Sequence, residues 1–281
     1  MQHKHCYLAS LSGSLAYSEF GSRQKPVLLF VHGVAESSAI WQPTIQLLQN
    51  DFCCIAVDLP GHGESAELRG NWSMSFYAQV LRAFIDTMQL NSVTLVAHSM
   101  GAQISCIVAL QMYSYISNLM LIAPAGIESF TISEATALRN WTENSWKQPP
   151  ANDWPTEQLK SNFLYFANLG SFSPNLANYK VSETSSELRE VIIKSISAML
   201  AEPVRNFLPQ LRQPVTVLIG ANDTFVPNRM LHPKLTQQSI LDDAEKLFAD
   251  VRTLLVQHAG HFLPVERPEI IAEQIRKHKI S

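Results

Sequence analysis

Val93-Thr94-Leu95-Val96-Ala97-His98-Ser99-Met100-Gly101-Ala102 decides the reading of this chain. An apolar, β-branched run reaches a serine set between small residues, and a segment free of Gly and Pro runs on from Ala102. That order reads as strand, sharp turn and helix, with Ser99 as the candidate nucleophile. A turn this tight brings the backbones two residues before and two after the serine close together, and Ala97 and Gly101 are small enough to allow it. It also forces a non-glycine residue to positive φ, which lifts the hydroxyl off the sheet and aims the next helix's N-terminus at the reacting oxygen.

Outward from the turn, strand and helix alternate. Residues 6–20 around Ser12-Gly13 predict a β-hairpin at an antiparallel sheet edge. Val27–Val31 and Cys53–Val57 are continuous apolar runs, the pattern of strands covered on both faces. Helical spacing follows over residues 41–48, 77–88 and 100–112, and a further strand over Leu119–Ala123. The alternation predicts an α/β fold with a doubly wound, mostly parallel sheet. It stops at Pro124-Ala125-Gly126 and resumes after Pro209 with strands at residues 215–219 and 253–256, a helix near residues 242–249 and a last helix opened by Pro268. Residues 125–208 therefore read as a helical cap inserted after the sixth strand, between core segments 1–124 and 209–281. Ser133, Thr156 and Ser186 are its expected N-caps. Its aromatic residues (Phe130, Trp141, Trp146, Trp154, Phe163, Tyr165, Phe166, Phe172, Tyr179) fit a small helical core, some of them facing a pocket.

With 281 residues, 46% of them hydrophobic, the chain is long enough for one core domain with an appendage. A net charge of −3 without a basic run argues against a nucleic-acid partner. No apolar run reaches bilayer length and residues 1–11 lack a signal-peptide core, so a cytoplasmic protein without a membrane span is expected. Cys6, Cys53, Cys54 and Cys106 read as reduced core thiols, and without CxxC or HExxH no metal site is expected.

Serine chemistry needs a base, a group that orients the base, and donors for an oxyanion. Asp223 follows the strand at 215–219 and His261 follows the last strand, and parallel strands put both loops on the face from which Ser99 projects. The chain order is Ser99, Asp223, His261. In this order, and in His32-Gly33-Val34, Asp58-Leu59-Pro60-Gly61-His62-Gly63-Glu64-Ser65 and Gly260-His261-Phe262 through Glu266-Arg267-Pro268, the chain resembles the α/β hydrolases over nearly its whole length.

The resemblance implies a Ser99-Asp223-His261 triad, an oxyanion hole from the backbone N–H groups of Val34 and Met100, a small-molecule substrate and no cofactor. His32, Gly33, His98, Trp141 and Phe262 are candidates for contact with substrate, although a loop-fixing role is favoured for His32 and a structural one for His98. Asp58 and His62 are expected to stabilise their turn. The expected reaction is acyl transfer from a small apolar ester through an acyl-serine, followed by hydrolysis. Two alternatives stay open. One is carbon–carbon bond hydrolysis or lysis of the ring-fission dienone type. The other is a triad-bearing small-molecule receptor with little turnover. The stretch Arg229–Ile240 looks longer than a minimal member has, and the nearest rival carboxylate to Asp223 is Glu128.

Overall fold

The computed structural model describes residues 2–147 and 186–277, apart from the side chains of Trp146 and Lys147. The strands are β1 (Lys4–Leu8), β2 (Gly13–Phe20), β3 (Val27–Val31), β4 (Cys53–Val57), β5 (Val93–His98), β6 (Ile116–Ile122), β7 (Val215–Gly220) and β8 (Val251–Val256). They form one sheet in the order β1-β2-β4-β3-β5-β6-β7-β8. The pairs β1·β2 and β2·β4 are antiparallel, and all the others are parallel. Chain order reverses direction between β3 and β5, and at such a reversal the loops leaving the carboxyl ends diverge and open a crevice. Ser99 directly follows β5, so the serine stands at that crevice.

Helices cover both faces, as the unbroken apolar strands require. On one face lie α2 (Met74–Thr87), α3 (Met100–Gln111) and α6 (Gln237–Leu247); on the other lie α1 (Gln42–Leu48) and α7 (Pro268–Lys277). Leu29, Val31, Ile55, Val57, Leu95 and Ala97 point into the first core, and the intervening Leu28, Phe30, Cys54, Ala56 and Val96 point into the second, as the period of two along a strand dictates. Helix α2 starts where the Ser73 hydroxyl accepts the N–H of Phe76, and it buries Met74, Tyr77, Ala78, Leu81, Phe84 and Ile85 at helical spacing. All four cysteines are buried and unpaired.

Beyond β6, α4 (Ile132–Lys147) packs against α5 (Ser186–Ala201). The second of these helices is tied to the core: Tyr77 Oη lies 2.8 Å from Ser195 Oγ, and the Gln103 amide donates to the carbonyls of Met199 at 3.1 Å and Glu202 at 2.8 Å. Thr131, rather than Ser133, caps α4, because its hydroxyl accepts the Glu134 N–H while the Glu134 carboxylate accepts the N–H of Thr131 in return. Helix α6 starts five residues before the expected Asp242, since Thr236 and Ser239 form a reciprocal capping box. That absorbs part of the stretch Arg229–Ile240 into regular structure. The expected cap at Thr156 and the aromatic residues from Trp154 to Tyr179 lie outside the described residues.

Gly101 sits where α3 crosses the end of β3. A Cβ there would stand 2.5 Å from the His32 carbonyl oxygen and 2.6 Å from that of Val31. Alanine at an ordinary helix position stabilises by about 1 kcal/mol relative to glycine, but here the obstacle is backbone and has no rotamer to escape through. Gly101→Ala should therefore destabilise the protein by about 1–3 kcal/mol, read as a lower urea midpoint. An unchanged or higher midpoint would contradict this packing.

Candidate active site

Ser99 adopts φ 51° and ψ −117°, a conformation that L-residues avoid and that costs about 1–3 kcal/mol. Neighbouring chain holds it there. Its N–H donates to the Ile122 carbonyl at 3.0 Å, and its own carbonyl accepts the N–H groups of Ala102 at 3.0 Å and Ala125 at 3.1 Å. The hydroxyl lies 3.1 Å from Nε2 of His261, and Nδ1 of His261 lies 2.9 Å from Oδ2 of Asp223. The other carboxylate oxygen of Asp223 accepts the N–H groups of Phe225 at 2.8 Å and Val226 at 3.0 Å. A fully satisfied, buried carboxylate thus fixes the imidazole with a proton on Nδ1 and a free electron pair on Nε2 facing the serine.

His261 is held along its main chain as well. The buried carboxylate of Glu266 accepts the N–H of Gly260 at 2.7 Å and of Phe262 at 3.0 Å, one on each side of the histidine. Burial pushes the Glu266 carboxyl up to about 7, against the lowering effect of those two donors.

Val34, Glu36, Ser99, Trp141, His261 and Phe262 are among the residues around a cavity of about 520 Å³. The substrate-contact candidates divide. Trp141 and Phe262 line this cavity, and Phe130 does too. His32 and His98 do not, because both are fully buried with both ring nitrogens engaged by protein. His32 accepts the Leu59 N–H on Nε2 at 2.9 Å and donates from Nδ1 to the Gly33 carbonyl at 2.6 Å, and burial keeps it neutral by lowering its pKa. Gly33 backs Ser99 instead: a Cβ on it would lie 3.0 Å from that of the serine, and its N–H is taken by Glu36.

Asp58 accepts the N–H groups of Ser38 and Glu64, and His62 bonds the Pro60 carbonyl, as a turn-fixing role requires. Glu128 is turned to His232 at 2.5 Å and to the Asn228 N–H at 3.0 Å, so Asp223 alone faces His261. Sequence reasoning missed Glu36. Its signal was a carboxylate in an otherwise uncharged loop, but its partner, His98, is 62 residues away. Among the described residues no group of three or more His, Cys, Asp or Glu is placed to hold a metal ion. No described helix is long and apolar enough to cross a membrane.

A family model described as alpha/beta hydrolase fold matches residues 26–268. The chain belongs to the α/β hydrolase fold family. It is 31% identical, over 102 residues, to an uncharacterized protein of Mycobacterium tuberculosis; the match covers 36% of this chain and 30% of that protein's length. It is 22% identical to the monoacylglycerol lipase ABHD6 of Homo sapiens over 261 residues, 89% of this chain and 74% of the lipase. A thermophilic esterase from Thermogutta terrifontis superposes with a TM-score of 0.77 over 99% of this chain and 97% of its own, at 20% identity.

The Glu266 carboxyl ionises near its ordinary 4.5 in the unfolded chain and near 7 in the folded one. The folded state therefore holds its proton longer, and the stability this contributes is full below about 4.5 and lost as pH rises through 7. In thermal melts, the advantage of wild type over Glu266→Gln should shrink as pH rises across that window. A difference that stays constant with pH would contradict it.

Proposed function

We propose that the chain is a serine hydrolase that cleaves small, apolar carboxylic esters or related acyl compounds through an acyl-enzyme. The observation that carries this reading is the unbroken relay from Asp223 through His261 to Ser99, opening into a mainly apolar-lined cavity. Ser99 Oγ attacks the carbonyl carbon while His261 Nε2 takes its proton, and Asp223 stabilises the resulting imidazolium. The backbone N–H groups of Val34 and Met100 are the proposed donors to the oxyanion, Val34 from the cavity wall and Met100 from the first turn of α3. Collapse of the tetrahedral intermediate expels the alcohol with the proton from His261. Water, deprotonated by the same His261, then releases the acid and frees Ser99.

Val34, Trp141, Phe130, Ile192, Ile196 and Phe262 supply the apolar wall against which an acyl chain would pack. The lipase and esterase names among the proteins similar to this chain agree with ester chemistry. Residues 125–208 are proposed as the cap over this cavity, between core segments 1–124 and 209–281. A cytoplasmic setting agrees with four buried, unpaired cysteines.

Fluorophosphonate should label wild-type protein stoichiometrically and leave Ser99→Ala unlabelled. Turnover on nitrophenyl esters should fall by about 10⁴-fold or more in that variant. Labelling without repeated turnover on any ester would favour the receptor reading, and turnover confined to a ring-fission dienone would favour carbon–carbon cleavage.

A further inference from the structure

Glu36 and His98 lie against the proposed reaction centre and have no part in the steps above. Glu36 lines the cavity together with Ser99, with its side chain only 9% exposed. Its Oε2 accepts the N–H of Gly33 at 2.6 Å, and its two oxygens lie 2.9 and 3.0 Å from Nδ1 of His98. His98 directly precedes the nucleophile, is wholly buried, and places Nε2 2.9 Å from the main-chain carbonyl oxygen of His261. The two imidazole rings lie 4.8 Å apart between centroids. Three segments are thereby stitched together: the loop after β3, the end of β5 and the loop carrying His261.

A count of protons decides the state of this stitch. The His261 carbonyl only accepts, and so does an ionised Glu36, so His98 must donate from both ring nitrogens and be an imidazolium. A neutral His98 carries one N–H and can keep only one of its two bonds to acceptors. The charge is tolerable in a buried place because its partner is a carboxylate in contact with it. The titratable groups around it are Glu36 and His32 on the β3 side, Asp223 from the loop after β7, and His261 and Glu266 from the C-terminal segment.

We propose that Glu36 and His98 form a positioning pair, which sets the main chain of His261 against the Gly33–Val34 loop and does so only while the pair keeps its shared proton. This rests on the serine-hydrolase reading. Burial works against the imidazolium of His98, but the Glu36 charge and hydrogen bond outweigh it and hold the pKa above the ordinary value. Burial likewise works to raise the Glu36 carboxyl, and the charge and hydrogen bond of His98 bring it below the usual range. The pair is therefore intact between the lowered carboxyl pKa and the raised imidazole pKa, lost as pH falls through the first and lost as pH rises through the second. On the alkaline side one of the two bonds goes, and kcat falls while the cavity wall that sets KM stays in place.

The test measures kcat and KM on a nitrophenyl ester and the rate of fluorophosphonate labelling from about pH 6 to about pH 10. Wild type, Glu36→Ala and Glu36→Gln are compared. Glu36→Ala should lower kcat and labelling rate by about 10-fold or more with KM within about twofold. Glu36→Gln can accept the Gly33 N–H and donate to a neutral Nδ1, leaving an Nε2–H for the His261 carbonyl. It should recover most of the rate and lose the alkaline decline that wild type shows. If Glu36→Ala does not fold, the pH profile of Glu36→Gln decides alone.

An alkaline limb in Glu36→Gln identical to that of wild type, or full activity in Glu36→Ala, overturns the pair's role while leaving the hydrolase reading intact. Failure of wild type to label overturns the hydrolase reading and the pair's role with it.

Discussion

The left-handed turn at Ser99 is the constraint on which the rest of the structure depends. A serine held at φ 51° would relax unless the chain around it left no alternative, and three neighbours supply that restraint. The end of β6 receives its N–H, Ala125 donates to its carbonyl, and Gly101 lets α3 close on the carbonyls of Val31 and His32. Each of these needs β3 and β6 on either side of β5, so the crossover that places β5 at the centre of the sheet is a condition of the turn. The same crossover gathers the loops after β3, β7 and β8 at one edge, where Gly33, Asp223 and His261 meet the serine.

Buried carboxylates then fix those loops by one device repeated with different outcomes. Asp223 accepts N–H groups from its own loop and the imidazole of His261; Glu266 accepts N–H groups on both sides of His261; Glu36 accepts the N–H of Gly33 and pairs with His98. Backbone donors alone do not offset desolvation at Glu266, whose carboxyl rises to about 7. A cation in contact does offset it at Glu36, whose carboxyl is lowered. The comparison shows which effect wins: in a dry place two amide dipoles compensate a charge incompletely, and an opposite charge reverses the balance.

Local pattern carried much of this architecture. Apolar runs located the buried strands, small residues around Ser99 located the turn, and the parallel rule placed Asp223 and His261 on its face. Two helix starts fell elsewhere than local pattern placed them: Thr131, not Ser133, caps α4, and α6 begins behind Thr236, five residues before Asp242. Pairings across long separations were not legible, since nothing local joins Glu36 to His98 or Glu128 to His232. His32 and His98, candidates for substrate contact for which a structural role was favoured, turn their rings inward and fix backbone, as that preference expected.

The central claim is that Ser99 carries the acyl group between two half-reactions. Rapid-quench mass spectrometry during turnover of a nitrophenyl ester measures this directly. The account predicts a transient mass increase equal to the acyl group, mapped to the peptide containing Ser99 and absent from Ser99→Ala. Sustained ester turnover with no acylated intermediate at Ser99, or with Ser99→Ala as active as wild type, would contradict it.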